Sequence, residues 1–160
     1  MGSGKSTVAK KLATRLKYDF IDIDAAIVNM AGKEIADIFR EEGEDAFRQL
    51  EHSILVSLCD RTNTVVATGG GAPCFYDNMV LMNKHGITIY LKMHPDSLAS
   101  RIIASNTERP LLNRISNDDL PAYISRHLLE REVFYNKAKL TIKGESIKID
   151  DLERLVINTR

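Results

Sequence analysis

Apolar positions recur along this chain in two periods that alternate. Val8, Leu12 and Leu16, flanked by Ala9 and Ala13, follow the i, i+4, i+8 spacing of one helical stripe that opens directly after a glycine-rich start. Phe20 to Ile23 reads as a short strand, and helical spacing returns at Ile35, Ile38 and Phe39. It returns again at Phe47, Leu50, Ile54 and Leu58, with Gly43 as the break between the two helices. Thr64 to Ala67 is a β-branched run that ends in Gly69-Gly70-Gly71, a buried strand delivering a tight turn. Ile87 to Leu91 predicts another buried strand, followed by Pro95 at a helix start with Leu98 and Ile102 on one face. Ser105 to Ser116 carries no periodicity and predicts a mobile loop holding Arg109, Pro110 and Arg114. Leu120, Ile124 and Leu128 resume the helical period, and Leu140 to Ile142 makes a last short strand. Asp150 with Glu153 is expected to cap a final helix bearing Leu152, Leu155 and Val156.

Strand and helix in alternation predict a parallel sheet covered by helices on both faces, and so an α/β fold in three layers. No repeat, low-complexity tract or linker interrupts the order, so one domain over residues 1–160 is expected. A glycine loop that opens a helix ordinarily follows a central strand, and none stands ahead of these glycines. The sequence therefore predicts a missing first strand, from a start assigned too late or a natural truncation, and a fold weakened by its loss.

Composition narrows the chemistry. Lys plus Arg and Asp plus Glu number 22 each, which gives no bulk field to steer the chain toward nucleic acid or an anionic membrane. Any anion site must be local. Cys59 and Cys74 form no Cys-x-x-Cys pair and no cluster with the four histidines, so neither a disulfide framework nor a zinc site is expected. With no long apolar run and no charged-then-apolar leader, a cytoplasmic monomer is expected.

Gly2-Ser3-Gly4-Lys5-Ser6-Thr7 matches the second half of a Walker A loop. Such a loop cradles phosphates on successive backbone N–H groups at a helix start, with Lys5 reaching the β and γ oxygens and Ser6 turned to Mg²⁺. Alone, it also describes a glycine turn capping a helix with an exposed lysine. Asp22 and Asp24, two residues apart, fall on the same side of an extended strand end at the carboxyl edge of the sheet, where ligands of open α/β sheets bind. One such carboxylate can hold a metal through water while the other orients an attacking hydroxyl; a solvated turn is the plainer alternative. Gly69-Gly70-Gly71 stands where many P-loop proteins carry a metal-binding aspartate, and no acidic residue follows until Asp77. The metal then falls to Ser6 and Asp22. Arg48, three residues before Glu51 on a helix, can be held rigid enough to receive a planar carboxylate, or can form an ordinary surface ion pair.

In order and spacing, these pieces resemble the shikimate kinase family. The motifs are G-S-G-K-S-T, D-I-D at Asp22 to Asp24, F-R-Q-L-E at Phe47 to Glu51, T-G-G-G at Thr68 to Gly71, R-P-L-L at Arg109 to Leu112, and R-E-V-F-Y at Arg131 to Tyr135. The resemblance runs through nearly the whole chain. It implies a five-strand sheet, a lid at about 105–116 and an acceptor region at about 24–51, with ATP as co-substrate, Mg²⁺ as cofactor and shikimate as acceptor. It also implies that Lys5 and the Gly2 to Thr7 backbone hold the ATP phosphates, and that Ser6 with water-linked Asp22 holds Mg²⁺. Asp24 would bind or deprotonate the acceptor, Arg48 and Arg131 would clamp its carboxylate, and Gly69, Gly70 and Gly71 would line its ring. Arg109 would swing onto the phosphates, with Arg101 and Pro110 near the adenine. No arginine stands directly after the last strand, which leaves the adenine to backbone and apolar groups. Competing expectations are a gluconate or nucleoside monophosphate kinase on the same fold, and a non-catalytic ATP-binding module.

Overall fold

The computed structural model describes residues 2–104 and 115–159. Four short parallel strands alternate with helices: β1 (Asp19–Asp22), β2 (Thr64–Ala67), β3 (Ile89–Lys92) and β4 (Leu140–Lys143). The helices are α1 (Lys5–Leu16), α2 (Ile23–Ala31), α3 (Ile35–Glu41), α4 (Gly43–Ser57), α5 (Asn78–His85), α6 (Pro95–Ile103), α7 (Leu120–Tyr135) and α8 (Ile149–Asn158). A single 3₁₀ turn, Ala72–Cys74, follows the glycine triplet.

The strands do not make one sheet. β1 pairs with β2 from Asp19↔Thr64 to Asp22↔Ala67, and β3 pairs with β4 from Ile89↔Leu140 to Lys92↔Lys143, while no ladder joins β2 to β3. Between them lies a cavity of about 560 Å³ bordered by both inner strands and by Leu12, Leu55 and Leu152. Each inner edge turns backbone N–H and C=O groups into this slot without a partner strand, a costly arrangement inside an apolar layer. The slot explains a burial pattern that a complete sheet would not show: among the strand residues only Ala67 is buried.

The core falls into three clusters. Ile23, Ile27, Ile38, Phe47, Ile54 and Leu55 form one cluster on the α2–α4 side. Leu12, Leu152 and Val156 form a second between α1 and α8, packed on Val65, Ile89 and Ile142. A third joins Leu98 and Ile102 of α6 to Leu120 and Ile124 of α7. Burying a Leu or Ile stabilises by about 1.5–3 kcal/mol, so each cluster holds its own helices, and the second also reaches both sides of the slot through Val65 of β2 and Ile89 of β3.

Several sequence expectations need correcting. The first strand ends at Asp22, one residue before the expected end, because Asp22 caps α2: its side chain accepts from the Asp24 N–H. The last helix is not capped by Asp150 and Glu153. Lys148 stands at its cap, while Asp150 and Glu153 bind Arg15 of α1 at 2.7 and 3.1 Å. α2 and α5 were not evident from apolar spacing. The expected lid falls mainly at 105–114, outside the described residues.

Candidate active site

The glycine start builds an anion cradle. Gly2 and Gly4 have φ of 69° and 77°, the left-handed region where a side chain is strained, and Gly4 is the residue from which α1 begins. A Cβ on Gly2 would also lie 3.0 Å from Ile102 Cγ1. The turn thus presents the N-terminal N–H groups and positive dipole end of α1, the geometry that binds phosphate. Lys5 Nζ lies 3.5 Å from Ser3 Oγ, Thr7 is exposed on the first turn, and Arg101 Nη1 donates to the Ser3 carbonyl at 3.4 Å.

The acidic pair closes on this cradle by a different route from the one the spacing implied. Asp22 and Asp24 do not share one side of an extended strand, because the chain turns helical at Ile23. Asp22 instead ties the two together: Oδ2 accepts from Ser6 Oγ at 2.6 Å and Oδ1 accepts from the Asp24 N–H at 3.1 Å. Burial and the neighbouring Asp22 push the Asp24 carboxyl above its ordinary range, against the pull of the Lys5 and Arg48 charges. Asp24 therefore lies within the field of the phosphate-end lysine and of the arginine at the far end.

That arginine is built into α4. Arg48 is 8% exposed and Glu51 is wholly buried, and Arg48 Nη1 donates to Glu51 Oε2 at 2.8 Å. The other edge of the guanidinium, Nε and Nη2, donates to Glu44 Oε1 at 3.2 and 2.9 Å, and its flat face lies 4.1 Å from the centroid of Phe75. Glu51 Oε1 has no hydrogen-bond partner among the described residues. Burial drives the Glu51 carboxyl up, and the Arg48 bond holds it down.

The glycine triplet fits against this pair. A Cβ on Gly69 would sit 2.6 Å from Glu51 Oε1 and 3.3 Å from Asp24 Oδ1, and one on Gly71 would sit 2.5 Å from Arg48 Nη1. Only glycine lets the loop pass this close. The Tyr135 hydroxyl donates to the Gly70 carbonyl. Burial raises Glu51, Cys74 and Tyr135 alike, and the charges of both Arg48 and Arg131 lower each of them, so the two guanidinium groups flank one region.

Lys5, Ser6, Asp22, Asp24, Arg48, the glycine triplet and Arg131 thus line one continuous edge at the carboxyl ends of β1 and β2. The large cavity is not this edge; it runs back between the strands and shares only its rim, Ser3, Lys5, Gly69 and Gly70. Arg109 and Pro110 lie outside the described residues. Glu44, Asn78 and Tyr135 had no assigned role from sequence. Glu44 was within reach of the i, i+4 rule, whereas Asn78 and Tyr135 act across 6 and 65 residues, which no local pattern encodes.

Among the described residues no group of three or more His, Cys, Asp or Glu forms a metal cluster, and no helix is long and apolar enough to cross a membrane. Ser6 Oγ and Asp22 offer two hard oxygens beside the phosphate cradle. That set suits Mg²⁺, which keeps most of its coordination for phosphate and water.

Comparison with known proteins agrees with this layout. The family model described as shikimate kinase matches residues 1–158. The shikimate kinase of Azobacteroides pseudotrichonymphae is 41% identical over 153 residues, covering 95% of this chain and 90% of that protein. That of Parabacteroides distasonis is 42% identical over 147 residues, covering 92% and 85%. The crystal structure of shikimate kinase from Bacteroides thetaiotaomicron superposes with a TM-score of 0.93 at 36% identity, over 98% of this chain and 94% of that one. Shikimate kinase from Acinetobacter baumannii in complex with shikimate superposes with a TM-score of 0.86 at 32% identity, over 99% and 87%.

Proposed function

The chain belongs to the shikimate kinase family, and on that premise we propose that this edge transfers the γ-phosphoryl group of ATP to a hydroxyl of shikimate, yielding shikimate 3-phosphate and ADP. The observation that carries the assignment to these residues is the position of Asp24. Its N–H bonds the same Asp22 that accepts from Ser6 of the phosphate loop, and its Oδ1 would lie 3.3 Å from a Cβ on Gly69 of the acceptor wall, so both substrates would meet at it.

Phosphoryl transfer needs alignment and charge neutralisation more than covalent help. The N–H groups at Gly2 to Thr7 and the Lys5 ammonium hold the triphosphate, and Arg109 is proposed to join them when the site closes. Ser6 and, through water, Asp22 would hold Mg²⁺, which supplies charge neutralisation at the β and γ phosphates. At the other end, Arg48 and Arg131 receive the acceptor carboxylate. The Nε/Nη2 edge of Arg48 is the one a planar carboxylate takes bidentately, and Glu44, with its side chain 53% exposed, now holds it. Glu44 is free to swing into solvent as the acceptor enters. Gly69 to Gly71 leave the ring room to lie on bare backbone.

Asp24 orients the attacking hydroxyl and takes its proton as the new O–P bond forms and the bond to ADP breaks. An aspartate made more basic by burial suits that role better than an ordinary one. Transfer is direct, with no phosphoenzyme, and every group named comes from one chain, so one copy suffices.

The test is ADP release in a coupled assay with shikimate, gluconate and nucleoside monophosphates as acceptors. Shikimate-dependent release that is lost in Asp24→Asn supports the reading. Release that needs no acceptor, or that prefers another one, removes it, and ATP binding without any turnover marks a non-catalytic module.

A further inference from the structure

Asn78, the first residue of α5, lies outside every motif above and is completely buried. Its Nδ2 donates to the Ala72 carbonyl at 2.9 Å. That bond fixes the amide's orientation, so Oδ1 faces His52, whose Nδ1 lies 2.6 Å away. An amide oxygen can only accept, so His52 Nδ1 carries the proton in this contact. The two partners belong to the two walls of the acceptor site. Ala72 directly follows the glycine triplet, and His52 follows Glu51 on α4.

These walls leave no room for a methyl group: a Cβ on Gly69 would lie 2.6 Å from Glu51 Oε1 and one on Gly71 would lie 2.5 Å from Arg48 Nη1. Yet Glu51 Oε1, which faces Gly69, makes no hydrogen bond among the described residues. Direct contact alone therefore does not set the spacing. Tyr135 anchors the loop to α7 through Gly70, which leaves its distance from α4 unfixed.

We propose that Asn78 is a positioning residue for the acceptor. Its single amide locks the glycine loop to α4, and so sets the gap between Gly69–Gly71 and the Arg48–Glu51 pair that shikimate enters. The proposal rests on the functional reading above for its substrate, but the lock itself does not. Asparagine is required because one donor and one acceptor are needed at once. Aspartate would accept from His52 and leave the Ala72 carbonyl unpaired.

The experiment compares the wild-type chain with Asn78→Ala, Asn78→Asp, His52→Leu and His52→Asn. His52→Asn keeps an N–H donor near the position of Nδ1. Steady-state kinetics are measured against each substrate, with amide exchange followed by mass spectrometry. Asn78→Ala, Asn78→Asp and His52→Leu are expected to raise the shikimate KM roughly tenfold, the upper effect of one hydrogen bond, with the ATP KM within about twofold. His52→Asn should restore a near-native value. Exchange should quicken at residues 69–72 and not in α1. Equal loss for both substrates, unchanged shikimate KM, or His52→Asn behaving like His52→Leu overturns the proposal. If the Asn78 variants do not fold, the His52 pair decides. If the wild type turns over no shikimate, the substrate reading falls alone: faster exchange at 69–72 in the variants then upholds the lock, and unchanged exchange refutes it.

Discussion

Replacing Gly71 with alanine separates the acceptor site from the fold that carries it. Gly71 has φ −86° and ψ −27°, a conformation alanine adopts without strain, so the backbone gives no reason for glycine here. Removing a glycine where its conformation is compatible stabilises by about 0.4–1 kcal/mol through the unfolded chain. The obstacle lies across the gap. The new methyl carbon would meet Arg48 Nη1, Nη2 and Cζ at 2.5, 2.6 and 2.8 Å, about 0.6–0.9 Å inside ordinary contact. Arg48 cannot retreat freely, because Glu51, Glu44 and Phe75 hold three sides of its guanidinium. A displacement approaching 1 Å of a substrate-positioning group costs on the order of 10²-fold in rate, or about 2.7 kcal/mol. Gly71→Ala is therefore expected to lower kcat/KM for shikimate about 10²-fold, with the ATP KM and the urea midpoint close to wild type. Coupled ADP release and urea unfolding on the same preparation read both. A variant that folds normally and keeps kcat/KM within about threefold would show that Arg48 does not hold the acceptor.

Four further outcomes follow from the same geometry. Because the Asp24 carboxyl is raised, kcat/KM should fall on the acid side at a higher pH than an ordinary carboxylate near 3.9 requires, and Asp24→Asn should abolish that limb along with most activity; an acid limb at the ordinary position refutes the assignment. The same direction of shift governs stability. Asp24 and Glu51 hold protons more tightly when folded than when unfolded, so stability should decline as pH rises from the ordinary carboxylate range through their raised values. Glu51→Gln should flatten that decline in urea midpoints, and an unchanged slope would contradict it. Glu44→Gln removes a carboxylate that competes for Arg48, and an exposed pair is worth up to about 1 kcal/mol. Shikimate KM should therefore fall by up to about fivefold, whereas a rise would show that Glu44 supports Arg48. Finally, joining an apolar segment of about five residues ahead of Met1, at roughly 3.3 Å per residue, should raise the urea midpoint and slow amide exchange in β2 and β3. Unaltered exchange there would mean that the slot does not accept a strand.

The alternation of elements was readable because the stripes of α1, α4, α6 and α7 are strongly periodic, and because Val65 and Val66 stand in a β-branched run. α2 was hidden because its apolar residues, Ile23, Ala25, Ala26, Ile27 and Val28, form a block whose period is lost, and its start is set by an aspartate cap. α5 carries Met79, Val80, Leu81 and Met82 in an unbroken row, which is equally ambiguous. The Asp-Ile-Asp spacing marks Asp22 and Asp24 for a strand geometry that the cap at Asp22 replaces. Arg48 and Glu51 followed from helical spacing, since both lie on one helix. The contacts of Tyr135 with Gly70 and of Asn78 with His52 and Ala72 depend on how helices pack around the loop, and packing across tens of residues leaves no local trace.

The gap between β2 and β3 has a mechanical meaning. With β1 paired to β2 and β3 paired to β4, the molecule resembles two shells meeting along a seam, which the α1–α8 cluster bridges from behind. At the carboxyl end the phosphate loop stitches that seam, since Ser6 bonds Asp22 on one shell while Ser3 accepts from Arg101 on the other. On the proposed reading a triphosphate seated there would grip both shells at once, so nucleotide binding would do structural work as well as chemical work, tightening the seam at its carboxyl end.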